Sequence, residues 1–151
     1  MTINTFSLND AKQYLEDLKI KQQQEEEKAK ARHEANKATI LWFLKVCFHV
    51  ETNRTLLFNA VKEEIKRTNN PNMVTFSFHG LGEFTKFTTN FLEFWNRDRQ
   101  TYQCYSITPD INSAIENEFE KWFPGYKVSR QRLHPNDSKY EEWGIVLTAK
   151  E

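Results

Sequence analysis

The residues able to do chemistry are few and scattered. The four histidines, His33, His49, His79 and His134, stand far apart in the chain, and no two have the short spacing by which neighbouring imidazoles share a metal. An imidazole works as a general acid or base only beside a positioned partner, so each is expected to be structural. The most suggestive placement is Phe78-His79-Gly80-Leu81-Gly82, a histidine at a strand end before a glycine turn, where open sheets often carry function. Its glycines match neither the dinucleotide-binding nor the phosphate-loop spacing, and no lysine follows to reach a phosphate. A tight turn that needs positive backbone angles accounts for it. An enzyme built on these residues would have a dispersed site near His79 and His134.

The carboxylates offer no paired acid and base. Glu25, Glu26 and Glu27 fall in a charged helical run, and Glu116, Glu118 and Glu120 spread around the polar side of another helix. A hydrolytic pair would need acids from separate segments meeting in a cleft. No spacing calls for a metal or a cofactor, and none is expected.

The clearest local bias is basic. Lys127, Arg130, Arg132, His134 and Lys139 lie close together with Asp137 as the only acid among them, and Tyr126, Tyr140 and Trp143 are nearby. Such a strip can hold a nucleic-acid strand through phosphate contacts and base stacking. Basic residues also guard exposed strand edges against mispairing, and that protective role is the favoured reading. The whole chain balances 21 Lys and Arg against 21 Asp and Glu, so it exerts little long-range pull on DNA or RNA.

Cys47 and Cys104 have neither zinc nor redox spacing and read as reduced core residues. The first nine residues lack the pattern of a signal peptide. The longest apolar run, Ile40 to Val50, is interrupted by Lys45 and His49 and falls short of the ~20 residues that a spanning helix needs. No membrane association and a cytoplasmic location, in the producing cell or a host cell, are expected.

The elements that must position these residues follow from periodicity. Ser7 and Asp10 have the spacing of a capping box, so a helix should begin at Leu8. Leu8, Ala11, Leu15 and Leu18 share one stripe; from Lys21 to Lys37 Lys, Glu, Gln and Ala dominate, which suits a solvated helix. Residues 1–38 are therefore expected to be a helical arm and 39–151 a compact domain. Ile40 to Val50 fits either helix or strand, with helix preferred and a break near Glu51 to Arg54. A second helix follows to Arg67, then a strand from Met73 to His79. Phe84, Phe87, Phe91, Phe94 and Trp95 predict a third helix with an aromatic stripe. A strand at Thr101 to Thr108, a helix N-capped by Asp110, and a closing hairpin of Tyr126 to Leu133 with Glu142 to Ala149 complete the order.

This order predicts an α+β fold: a small mixed sheet of about four strands against helices, behind a long charged N-terminal helix. With 14% aromatic residues, the core should be small and rich in Phe and Trp. The functional expectation is a non-catalytic protein–protein interaction protein that docks through the N-terminal helix or a sheet edge onto a protein partner. Self-association through Leu8, Ala11, Leu15 and Leu18 is the second partner reading. Abundant Asn and Lys with only four Gly suggests a phage or mobile-element accessory, virion-associated or host-factor-inhibiting protein. The alternatives are a nucleic-acid-binding module using the basic hairpin and the dispersed enzyme.

Overall fold

A computed structural model of the chain describes residues 5–96, 99–137 and 141–150. The chain divides into two units, Met1–Lys37 and Ala38–Glu151. In the first, the Ser7 backbone N–H donates to Asp10 Oδ2 at 2.9 Å, and the Asp10 N–H donates to Ser7 Oγ at 3.1 Å. This reciprocal cap starts helix α1, Leu8–His49, and holds the Asp10 carboxyl below its ordinary range. Between Lys21 and Glu34 every described side chain except His33 is exposed, as interspersed Lys, Glu, Gln and Ala allow.

In the second unit, the last turns of α1 bury Ile40, Leu44, Cys47 and Phe48. Ile40 to Val50 is thus helical up to His49, and Val46 and Val50 are left exposed. No Gly or Pro stops the helix. Val50 is extended (φ −88°, ψ 115°), and the freed carbonyls are taken by side chains of the next helix. Asn53 Nδ2 donates to the Cys47 carbonyl at 3.3 Å, and an Arg54 Nη1 donates to that of Phe48 at 3.1 Å, which satisfies groups every helix end leaves open. Helix α2, Glu51–Thr68, buries Leu57 and Val61 and ends on Asn69 in the left-handed conformation.

Strands β1 (Met73–Ser77), β4 (Tyr126–Arg132) and β5 (Trp143–Ala149) form an antiparallel sheet in the order β1-β5-β4. In central β5, Gly144 through Leu147 are all buried. A Cβ on Gly144 would collide with the Phe76 carbonyl oxygen and the Leu133 side chain, so the backbones there approach as only glycine permits.

Strands β2 (Phe91–Asn96) and β3 (Thr101–Ser106) pair with each other in a second, two-stranded antiparallel sheet. The expected third helix is therefore corrected. Gly82–Thr88 forms a 3-10 helix that buries Phe84 and Phe87, and the chain turns extended at Thr89. Helical spacing holds as far as Phe87. Beyond it the β-branched Thr88 and Thr89 and the aromatic run from Phe91 favour a strand, and Leu92 opposite Tyr105 and Phe94 opposite Gln103 fix its inward face. The strands are shared between two small sheets instead of one, β2 and β3 lying close in the chain and taking up each other's pairing.

Helix α3, Pro109–Glu120, is N-capped by Thr108, not Asp110. Pro109 occupies the first helical position, where its missing N–H costs nothing, and this moves the cap one residue ahead of it. The Thr108 hydroxyl donates to the Asp110 carboxylate. Ile111, Ile115 and Phe119 of α3 are buried.

The α+β class expected from sequence is what the chain forms, around an aromatic core. Phe48 stacks on Trp122 (centroids 5.0 Å apart, planes 4° apart) and meets Phe84 and Phe119 edge-on at 4.9 and 5.0 Å. Such contacts add about 0.5–1.5 kcal/mol each beyond the area they bury. No helix among the described residues is long and apolar enough to cross a membrane.

The two cysteines differ, against the expectation that both are core residues. Cys47 is buried and Cys104 exposed, because Cys104 lies on the outer face of the β2–β3 sheet, opposite Glu93. Burial, helped by the Glu83 charge, pushes the Cys47 thiol up from 9.0 to about 12. With a thiol-reactive disulfide reagent at pH 8, one thiol per chain should react at once, and the second only on unfolding. Two fast thiols would contradict the burial of Cys47. Since the folded pKa is the higher one, the neutral thiol's contribution to stability is complete below pH 9 and lost as pH rises from 9 toward 12.

Candidate functional site

The basic hairpin does not present its cations together. Alternation along β4 turns Val128 and Arg130 to the interior, and Arg130 is only 2% exposed. One terminal nitrogen of its guanidinium donates to Asn90 Oδ1 at 2.9 Å and Asn112 Oδ1 at 2.8 Å. The other donates to the carbonyls of Phe87 and Thr89 at 2.8 and 2.7 Å. The Trp143 ring covers the group, 4.8 Å from guanidinium carbon to centroid. Desolvation lowers its pKa to about 10, with Glu116 and Glu141 acting against the shift, so it stays charged at neutral pH. Arg130 is a buried tie between β4, α3 and the 87–90 turn, and it is unavailable to a phosphate.

Of the other expected contacts, Lys127 and His134 are exposed and Arg132 is half-buried. An Arg132 Nη2 donates to the Asp137 carbonyl at 2.8 Å. Lys139 and Tyr140 lie outside the described residues.

The outer edge of β4 is covered by acids and an amide from α3. Glu116 and Glu120 of α3 accept the outward N–H groups of Arg130 and Val128 at 2.7 and 3.1 Å, and Asn112 Nδ2 donates to the Arg130 carbonyl at 3.0 Å. Four residues of helix rise ~6 Å and two of strand ~6.6 Å, so side chains at 112, 116 and 120 keep step with alternate β4 residues. These acids, which the sequence left unpaired, cover an edge that would otherwise invite another strand. The spacing of Asn112, Glu116 and Glu120 was the available signal, and so was the shared parity of Val128 and Arg130.

The two histidines of the dispersed-site reading do come together. His79 follows β1, His134 follows β4 and Glu142 precedes β5, so all three meet at one end of the sheet. His79 Nε2 lies 3.8 Å from Glu142 Oε1, and His134 Nε2 lies 3.4 Å from Oε2. Glu142 is 7% exposed, while both imidazoles are accessible. Sequence reasoning missed Glu142, which carries no local signal. Among the described residues no group of three or more His, Cys, Asp or Glu side chains is placed to hold a metal ion.

On α1, the stripe of Leu8, Leu15 and Leu18 is exposed, as are Tyr14 and Ile20. Lys12 and Lys19 stand four residues after Leu8 and Leu15, so they border the stripe on the helix surface. Asp10 and Asp17 lie on the far side, where Gln13 donates to Asp17 at 2.9 Å.

No family model, curated protein or solved structure matches the chain.

Proposed function

We propose that the protein is a non-catalytic interaction protein whose N-terminal helix docks into an acid-rimmed apolar groove of a protein partner. The carrying observation is the exposed stripe of Leu8, Leu15 and Leu18, bordered by lysines. Anchors at this spacing are how an amphipathic helix fills a groove, and the lysines select for acid at the rim. A second copy is the poorer occupant. Continuing the same register brings Gln22, Glu25 and Arg32 onto the seam, so a parallel pair would set like charges against each other after two heptads. An accessory or host-factor-inhibiting protein of a phage or mobile element, working in the cytoplasm, fits this reading.

The test compares intact protein with Leu15→Asp/Leu18→Asp, both changes at exposed positions, as baits in host and producing-cell lysates. A protein held by the intact chain, lost in the variant and weakened by rising salt is expected, with light scattering showing a monomer. Identical capture by both baits, or a dimer that the variant dissolves, would remove this reading.

The convergence of His79 and His134 on Glu142 supports a second reading, an acid–base site at that end of the sheet. It predicts a hydrolytic or proton-transfer activity, found by screening model esters and phosphoesters, that falls at least 100-fold in His79→Gln/His134→Gln. Turnover untouched by that double change would dispose of it.

A further inference from the structure

The outer face of the β2–β3 sheet carries Phe91, Trp95 and Tyr102, which are 58, 51 and 69% exposed, although rings of this size gain much from burial. Trp95 and Tyr102 are cross-strand partners in edge-to-face contact, centroids 5.0 Å apart at 64°. Phe91 stands roughly 13 Å back along β2, a span of about four base steps at the 3.4 Å spacing of a stacked strand. The side chains between the rings are Glu93, Cys104 and Ser106, with no Leu, Ile or Met among them. The face therefore lacks the continuous apolar centre of a protein interface. Flat rings set among polar groups suit unstacked bases.

Two cations lie near the sheet: Lys86 Nζ donates to the Glu93 carbonyl at 3.3 Å and lies 5.7 Å from the Phe94 centroid, keeping further N–H groups for an anion. Along β2 runs a groove of about 330 Å³ lined by Thr85, Lys86, Thr89, Phe91 and Glu93. Arg99 is exposed in the turn between the strands.

We propose that this two-stranded sheet is a platform for single-stranded nucleic acid, on which bases stack against Trp95, Tyr102 and Phe91 while Lys86 and Arg99 meet phosphates. Glu93, on the same face, accepts the amino group of an unpaired cytosine or adenine, as carboxylates do at base edges. Duplexes are excluded because their base faces are already stacked. With two phosphates engaged, log affinity falls against log salt with a slope of only about −1.4, which suits a chain without net charge. The platform shares no residue with the helical stripe, so either surface can fail alone.

The test is fluorescence anisotropy of labelled oligocytidylate and oligothymidylate, about 12 nucleotides long, with the intact chain at low salt. Single strands should bind, cytidylate more tightly, and the matching duplex should not. Trp95→Ala and Tyr102→Ala should each weaken binding about 5- to 150-fold, with circular dichroism unchanged because both rings are exposed. Arg99→Ala should flatten the salt slope by about 0.7. No binding of either strand at tens of micromolar, equal binding of duplex, or undiminished binding by the Trp95→Ala/Tyr102→Ala double variant would overturn the proposal. So would a protein captured through these rings in the absence of oligonucleotide binding.

Discussion

Replacing Arg130 with methionine is expected to cost about 3–5 kcal/mol, because several buried acceptors lose their donor at once and each orphaned polar group costs roughly 1–3 kcal/mol, offset in part by the desolvation of a charge no longer buried. Methionine fills similar space, so the loss comes from what is left behind. The side-chain oxygens of Asn90 and Asn112 and the carbonyls of Phe87 and Thr89 lose their donors together, and Trp143 loses its cation. Arg130→Lys keeps the charge but replaces a planar fork with a single ammonium, and should also destabilise by more than 1 kcal/mol. Urea titration at pH 7 reads both. A loss below about 1 kcal/mol for the methionine variant would mean that the network is not formed as described. Its pH dependence has a definite sign. The folded pKa, about 10, lies below the ordinary 12.5, so between these values the unfolded chain holds the proton more tightly and this group makes stability rise with pH. Cys47 acts in the opposite direction over pH 9 to 12.

Replacing Glu116 and Glu120 together with alanine should have the next largest effect, about 2–4 kcal/mol. Each carboxylate accepts a backbone N–H of β4, and bonds to charged groups contribute roughly 1.5–3 kcal/mol when well placed; partial solvent access lowers the sum. The second consequence is association. With α3 no longer covering it, the outer edge of β4 offers unpaired N–H groups to another chain, so the variant should form concentration-dependent assemblies under conditions where the parent is monomeric. Glu116→Gln retains an acceptor oxygen and should recover most of the stability. A double variant that unfolds at the parental midpoint and stays monomeric at high concentration would show that the edge needs no cover.

Proximity in the chain groups Arg130 with Lys127, Arg132, His134 and Lys139. A strand, however, sends neighbours to opposite faces, and Arg130 shares its face with Val128. Glu116 and Glu120 read as surface acids because their partners are backbone groups, which have no letter in the sequence. Phe91 and Trp95 fitted a helical stripe until pairing with Ser106 and Tyr102 fixed them in a strand. Asp110 lost the cap to Thr108 because Pro109 opens the helix.

By itself the sequence determined what nearest neighbours decide. The Ser7–Asp10 cap, the long charged helix, the end of α2 at Asn69 and the glycine turn after β1 all depend on residues within one or two turns of each other. Tertiary structure decided which charges are interior and which side chains meet. Arg130 is held by groups as far as 43 positions away in the chain, and Glu142 lies between His79 and His134 only because β1, β5 and β4 are adjacent. A buried charge is tolerable only when several partners arrive together, and their arrival depends on strand order, which leaves no periodic trace in the chain.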